Sequence, residues 1–179
     1  MSRLTEPLPE ELTEEQTAIF QRLVEGRGRI LAPYKIWIHS PVVADGMERL
    51  GTYLNKQSSL SSREVEMVII MIAQHWQSDY VIQAHRTEGR RVGLSAGVLD
   101  DLVAGREASL NNSHERGVYR LAVALVRGSS LSDGEFDDIE SAIGRQGIAE
   151  VLVLLGYYTS VALGMKAHAV PFKTAGGAI

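Results

Sequence analysis

Glu66 and His85 are two side chains in this sequence whose types suit proton transfer. A carboxylate and an imidazole can act together as general base and general acid near neutral pH. Glu66 adjoins the apolar run Met67 to Ala73, and a glutamate in such a setting is uncommon unless it is paired. The ordinary alternatives stay open at this point: a first-turn glutamate in contact with solvent, and a histidine that bonds a backbone carbonyl.

Ser78 and Tyr80 stand at the start of the segment that carries His85. Ser78-Asp79 is a typical N-cap signal, and the free backbone N–H groups of a helix start favour an anion. His85 follows Ser78 by seven residues, which is about two helical turns, so the two side chains share a face. Ser78 is therefore a candidate donor to a bound carboxylate or enolate. Tyr80 is a second candidate for substrate binding, with packing across the helix turn as its ordinary alternative.

Other residue types narrow the chemistry further. The arginines that are candidates for binding an anion are Arg27, Arg29, Arg86, Arg90 and Arg91. Surface charge is the simpler explanation for most of them, and the last two also suit the C-terminal end of their helix, where the helix dipole favours a positive charge. The remaining histidines show no HxxxH or HExxH spacing, and the chain has no cysteine. We therefore predict no metal site, and we exclude disulfides and every mechanism that needs a thiol.

Apolar periodicity and capping signals predict helices along the whole chain. Helix starts are predicted at Thr13, Ser40, Ser61, Ser78, Ser95, Ser113 and Ser132. Helix ends are predicted at the glycines Gly26, Gly93, Gly105, Gly128 and Gly144. A short helical segment is predicted at 33–39, and the longest helix at 148–168. The helix after Ser40 is expected to bury one apolar stripe, formed by Val42, Val43, Met47, Leu50 and Leu54.

These elements predict an all-α fold with a single domain over residues 1–179. Residues 1–9 are expected to form a loose lead-in, and residues 173–179 a flexible tail rich in glycine and alanine. The helix that starts at Ser61 should lie at the centre of the domain, because its run Met67 to Ala73 is apolar on all sides.

The composition excludes several classes of partner. The chain has 45% hydrophobic residues and a net charge of -4, which gives no basic surface for nucleic acid or for an anionic membrane. The N-terminus lacks the apolar region of a secretory signal, and the longest apolar run is too short to span a bilayer. We therefore expect a cytoplasmic protein that acts on a small molecule, with neither nucleic acid nor membrane as a partner.

A family resemblance connects these residues. Glu66, Ser78-Asp79-Tyr80, His85 and Val92-Gly93-Leu94-Ser95 together resemble the core motif of the carboxymuconolactone decarboxylase family, whose fold also houses the alkylhydroperoxidase D-like proteins. The segments Arg27 to Ile30, Pro33-Tyr34, Leu60 to Ala73 and Leu155 to Tyr158 are also similar to family sequence. The resemblance covers residues 27–172 and implies an all-helical bundle.

The peroxidase branch of this family places a Cys-x-x-Cys motif between its glutamate and its histidine. In this chain the cysteine positions correspond to Ser78 and Val81, and neither residue can form a disulfide. The resemblance therefore retains Glu66 and His85 and rules out a cysteine peroxidase.

The decarboxylase branch implies a cofactor-free carboxy-lyase that acts on a carboxylated lactone of aromatic-compound catabolism. By this resemblance His85 donates and accepts the proton, Glu66 orients it or relays the proton, and Ser78 and Tyr80 bind the substrate. The resemblance also implies a homo-oligomer, a trimer or a hexamer. The alternatives are a proton-transfer isomerase or a lactone hydrolase on the same site, and an oligomer that binds a small ligand without converting it.

Overall fold

The computed structural model describes residues 2–5 and 7–172, except the side chains of residues 9 and 27, and its regular structure is entirely helical over them. Helices α1 to α8 are Glu14–Arg27, Ala32–Trp37, Pro41–Lys56, Ser62–His75, Asp79–Arg91, Ala96–Val103, Ser113–Val126 and Asp133–Ala167. A short 3₁₀ helix, Pro9–Glu11, precedes α1 at the end of the predicted lead-in. The prediction of an all-α fold is confirmed. The predicted flexible tail, residues 173–179, lies outside the described residues.

Side-chain caps begin several of these helices as predicted. Capping boxes pair Thr13 with Gln16, Ser61 with Glu64, and Ser132 with Glu135. In each box the hydroxyl accepts a backbone N–H of the first turn, and the partner side chain accepts the N–H of the cap residue. Helix α7 begins at Ser113, as predicted, and Asn112 caps it, because its side chain accepts two backbone N–H groups.

Helix α4 lies at the centre of the protein, as its sequence predicts. Every residue from Glu64 to Ala73 is buried, and α4 packs against α5, α6, α7 and α8. A helix that is apolar on all sides removes the most surface from water when other helices surround it. The central position of α4 fixes the place of any polar residue that it carries, including Glu66.

The apolar stripe predicted for α3 is partly wrong. Val42 is 80% exposed and Val43 is 47% exposed, whereas the helix buries Ala44, Gly51 and Leu54. At about 100° per residue, Val42 lies nearly opposite the face that these three residues define. Small residues on that face, which a stripe of large apolar residues does not reveal, let α3 approach its neighbours closely.

Helix α8 combines the two helices predicted on either side of Gly144. This glycine keeps a non-helical conformation, φ 67° and ψ 170°, so a break remains at the predicted position. By length and composition alone, α8 could cross a membrane, but 56% of its most apolar stretch is buried inside the protein. Its packing against α4 and α7 is that of a core helix.

Candidate active site

Glu66 of α4 and His85 of α5 form a direct pair. The Glu66 Oε2 and His85 Nδ1 atoms lie 2.8 Å apart, and the exposed fractions of the two side chains are 8% and 21%. A short reversal between the two helices brings the pair together, and Gln77 in this turn has a left-handed φ of 51°. Because the turn lays α5 against α4, residues on either side of it come face to face.

The hydrogen bond to Glu66 determines which nitrogen of His85 can meet a ligand. An ionised carboxylate only accepts hydrogen bonds, so Nδ1 carries the proton in this pair. The other ring nitrogen, Nε2, is then left to accept or return a proton. The imidazole ring of His85 also contacts the ring of Tyr158 edge to face, with 5.1 Å between the two centroids. Two contacts thus hold the imidazole: a carboxylate at Nδ1 and an aromatic ring at its side.

A cavity of about 760 Å³ opens beside the pair. This volume lies in the range of small-molecule sites. Its apolar walls come from the segment after α1 and from α5 and α8, and include Ile30, Leu31, Val81, Ala84 and Val161. Its charged lining consists of four cationic side chains and two carboxylates, Arg29, Lys35, Lys56, Arg91, Glu66 and Glu88. The cavity can therefore hold a small organic anion with an apolar body beside His85.

Three tyrosines of α2 and α8 also line the cavity: Tyr34, Tyr157 and Tyr158. The hydroxyls of Tyr34 and Tyr157 lie 3.2 Å apart in the interior, and the Tyr158 hydroxyl donates to Asn55 Oδ1 at 3.3 Å. Gly51 makes room for this group, because a Cβ there would overlap the Tyr157 hydroxyl. These residues are not among the site residues predicted from the sequence. A buried tyrosine hydroxyl needs a polar partner, which is a signal for a polar wall, but spacing along one helix does not identify the partner.

The structure separates the two predicted substrate-binding residues. Tyr80 lines the cavity. Ser78 does not line it: the residue is 1% exposed, and its Oγ has no hydrogen-bond partner within the described part of the chain. Ser78 occupies the N-cap position of α5 without a side-chain cap bond. Val81, at the other position that corresponds to a family cysteine, does line the cavity. A role for Ser78 in substrate binding stays a prediction without support from this geometry.

The candidate arginines also divide into two groups. Arg29 and Arg91 line the cavity. Arg86 forms an ion pair with Asp100 instead, and Arg90 is exposed outside the cavity. The side chain of residue 27 is not described. The sequence could not make this division, because it depends on which face of α5 packs against α4.

Charges at the cavity shift two pKa values. Burial raises the pKa of Tyr80, while the nearby Arg29 charge opposes this rise. The hydrogen bond from Arg91 lowers the pKa of Glu88, and the Arg91 charge adds to the effect. Tyr80 therefore keeps its proton and can donate it to a ligand in a hydrogen bond, and Glu88 stays ionised beside Arg91.

A second glutamate–histidine pair lies outside this cavity. Glu64, 3% exposed, accepts the Ser61 N–H at 2.7 Å and has its Oε1 atom 2.6 Å from His114 Nδ1. Neither Glu64 nor His114 lines the cavity. Pairing alone therefore does not define a site in this protein. Glu66 and His85 line the cavity, which makes them the candidate catalytic pair, and we interpret Glu64 and His114 as a structural pair.

No protein-family model matches the chain, and no curated protein sequence matches it either. Several solved structures do match. An uncharacterized peroxidase-related protein from Silicibacter sp. TM1040 has a TM-score of 0.77 and 18% identity, over 97% of this chain and 92% of that chain. An uncharacterized peroxidase-related protein from Ralstonia eutropha JMP134, with an alkylhydroperoxidase AhpD core, has a TM-score of 0.77 and 15% identity, over 96% and 92%. A variant of the debrominase Bmp8 in complex with 2,3,4-tribromopyrrole has a TM-score of 0.70 and 13% identity, over 96% and 92%.

These similarities extend over nearly the whole chain, and their low sequence identity limits them to the fold. The resemblance seen in the sequence is confirmed at that level. The chain contains no cysteine, which fits a branch without the redox pair. The protein therefore has the all-helical fold of the alkylhydroperoxidase D-like proteins.

Proposed function

We propose that this protein is an enzyme that uses the Glu66–His85 pair for proton transfer on a small carboxylated substrate. The proposed reaction is the decarboxylation of a carboxylated lactone or of a related intermediate in the breakdown of aromatic compounds. The observation that carries the proposal is the 2.8 Å contact between Glu66 and His85 at the wall of the 760 Å³ cavity.

The proposed reaction needs only acid–base and electrostatic help from the protein. A carboxylate on the saturated γ carbon of an α,β-unsaturated lactone leaves as carbon dioxide when the electron pair of its C–C bond moves through the C=C bond to the ring carbonyl, which forms a dienolate. His85, as an imidazolium, then gives its Nε2 proton to a carbon of the dienolate, and solvent restores that proton. Glu66 stabilises the imidazolium through Nδ1. The net change replaces one carboxylate on carbon by one hydrogen.

The surroundings of the pair support a substrate of this kind. Cationic side chains in the lining attract a carboxylate, and the apolar wall at Val81 and Ala84 suits a ring. One protein of the same fold, the debrominase Bmp8, holds 2,3,4-tribromopyrrole, which is a five-membered ring. That example supports a small ring as the kind of ligand that this fold accommodates.

Release of carbon dioxide from a panel of unsaturated carboxylated γ-lactones tests the proposal. We expect the wild-type protein to decarboxylate at least one of them, His85→Ala to be inactive, and Glu66→Gln to lose about 100-fold in kcat. The second pair gives matched controls, because His114→Ala and Glu64→Gln change the same residue types outside the cavity. Circular dichroism and thermal melts check that every variant folds.

The possible outcomes separate the candidate functions. Equal rates for wild type and His85→Ala would contradict the proposed mechanism. Turnover of a lactone without release of carbon dioxide would indicate an isomerase or a hydrolase. A ligand that copurifies with the protein and is recovered unchanged after incubation, with no turnover in the panel, would indicate a binding protein.

A further inference from the structure

The cavity lining has a positive balance within an acidic protein. Four cationic side chains face two carboxylates there, although the whole chain has a net charge of -4. Most of these cations are already engaged. Arg91 donates to Glu88, Lys56 donates to the Gly26 carbonyl at 3.2 Å, and Lys35 also interacts within the protein.

Arg29 is the exception. Its guanidinium forms no hydrogen bond and no ion pair within the part of the chain that the structure describes, yet it lines the cavity. The Tyr80 hydroxyl, on the same cavity, also has no hydrogen bond to the described residues. The two groups are near enough for the Arg29 charge to act on Tyr80. A guanidinium offers parallel N–H donors that match the two oxygens of a carboxylate, and a phenol adds a third donor.

The position of this donor pair relative to His85 determines which carboxylate it can bind. Tyr80 precedes His85 by five residues on α5, which corresponds to about 7.5 Å along the helix axis. Val81 and Ala84, which lie between them in the sequence, line the cavity with apolar surface. Along α5, an apolar stretch of the size of a small ring therefore separates Tyr80 from the imidazole.

We propose that Arg29 and Tyr80 form an anion subsite that binds a carboxylate of the ligand, and that this carboxylate remains on the product. The ligand class is a small ring with a carboxylate on a side arm, directed away from the atom at His85. The inference that this carboxylate remains on the product rests on the function proposed above. The binding of the carboxylate by Arg29 and Tyr80 does not require turnover.

Binding of phenylacetate and of its neutral amide, phenylacetamide, tests the subsite without any reaction. The dissociation constants are measured by NMR titration, with the imidazole signals of His85 as the reporter. We expect the wild-type protein to prefer phenylacetate, and Arg29→Gln to weaken phenylacetate about tenfold with little effect on the amide. Tyr80→Phe should give a smaller loss, and Arg29→Lys should recover part of the preference through its charge.

Arg90→Gln is the matched control, because Arg90 is exposed outside the cavity and its removal changes the net charge equally. It should leave both dissociation constants unchanged. The subsite is wrong if the wild type does not prefer the carboxylate, or if Arg29→Gln binds phenylacetate as well as the wild type does.

His85→Ala, with the ligand signals of phenylacetate as the reporter, separates this inference from the proposed function. The variant should keep its preference for phenylacetate, because His85 supplies neither of the two donors of the subsite. An Arg29-dependent preference in a protein that decarboxylates nothing would leave the subsite standing and overturn the decarboxylase. If carbon dioxide release depends on His85 but the preference for phenylacetate does not depend on Arg29, the decarboxylase stands and the subsite is wrong.

Discussion

The ring of Tyr158 meets the imidazole of His85 edge to face, with 5.1 Å between centroids and 87° between planes. Tyr158 belongs to α8, so the imidazole is held between the carboxylate of one helix and the ring of another. Edge-to-face contacts between rings contribute about 0.5–1.5 kcal/mol beyond the burial of their area. Tyr158 is thus a positioning residue for His85 in the proposed mechanism.

Substitution of Tyr158 tests this positioning role. We expect Tyr158→Ala to lower kcat about tenfold, because the imidazole loses the ring that fixes its orientation. Tyr158→Phe keeps the ring and removes only the hydroxyl that donates to Asn55, so it should retain most of the wild-type kcat. Steady-state kinetics of carbon dioxide release give kcat and KM separately. Equal losses of kcat in both variants would assign the effect to the hydroxyl.

The hydrogen bonds of Glu150 lead us to expect that the stability of the fold depends on pH. This buried carboxylate accepts hydrogen bonds from the Tyr53 hydroxyl, the Ser59 hydroxyl and N–H, and the Gln146 amide. Burial raises the pKa of Glu150, but these donors together outweigh it and hold the pKa below its usual value. A carboxyl with a lower pKa in the folded state adds stability above its unfolded pKa and loses it as the pH falls.

We therefore expect the free energy of unfolding to decrease as the pH falls below about 4.3, the ordinary glutamate value. Urea unfolding at a series of pH values measures this dependence. Glu150→Gln removes the titrating group, so its stability should change less across the same acid range. An identical acid dependence in the variant and the wild type would show that other carboxylates dominate.

Two glycines of α3 should respond to alanine in opposite directions. A Cβ at Gly51 would overlap the Tyr157 hydroxyl and lie 3.2 Å from the Tyr34 hydroxyl, whereas a Cβ at Gly46 meets nothing within 4 Å. We expect Gly51→Ala to destabilise the protein by about 1–3 kcal/mol through overpacking. Gly46→Ala should stabilise it by about 0.5–1 kcal/mol, because alanine favours the helix. Chemical denaturation measures both, and two changes of the same sign would contradict the expected packing at Gly51.

Assembly into a homo-oligomer stays a prediction, and α8 offers a surface to test it. Leu152, Val153 and Leu163 are 47%, 43% and 42% exposed, and burial of such side chains against a second copy would remove them from water. We expect size-exclusion chromatography with light scattering to give the mass of a trimer or a hexamer. Leu152→Glu should lower that mass. A monomeric wild-type protein would contradict the prediction.

Val42→Glu is the control for the charge that Leu152→Glu introduces. Val42 is 80% exposed on α3, so a glutamate there adds the same charge on a different helix. This variant should keep the mass of the wild-type assembly. An equal loss of mass in both variants would assign the effect to net charge rather than to the apolar surface of α8.

Local signals in the sequence were sufficient to predict the helices and to place Glu66 and His85 on two consecutive helices. The capping box at Ser61 and the apolar run after Glu66 fix the start and the burial of α4 within about a dozen residues of chain. The turn before Asp79 then places His85 opposite Glu66, because both helices are short and directly connected. Each of these features depends on neighbours in the sequence.

The wall of the cavity could not be predicted in the same way. Tyr34, Asn55 and Tyr158 belong to α2, α3 and α8, which come together only in the folded protein. Ser78 shows the converse difficulty. Its spacing from His85 is right for a shared face, yet the packing of α5 on α4 encloses the serine and leaves Val81 at the cavity. Spacing along one helix cannot indicate which face its neighbours cover.

The place of Val81 at the cavity wall offers a position for a spectroscopic probe. Val81 precedes His85 by four residues on α5, so the two positions are neighbours on one helix face. Because the chain contains no cysteine, Val81→Cys would introduce its single thiol. Val81 is 1% exposed, so conversion of that thiol to a thiocyanate before refolding would place a vibrational probe one helical turn from the imidazole. The frequency of this probe would report the local electric field as ligands of different charge enter the cavity.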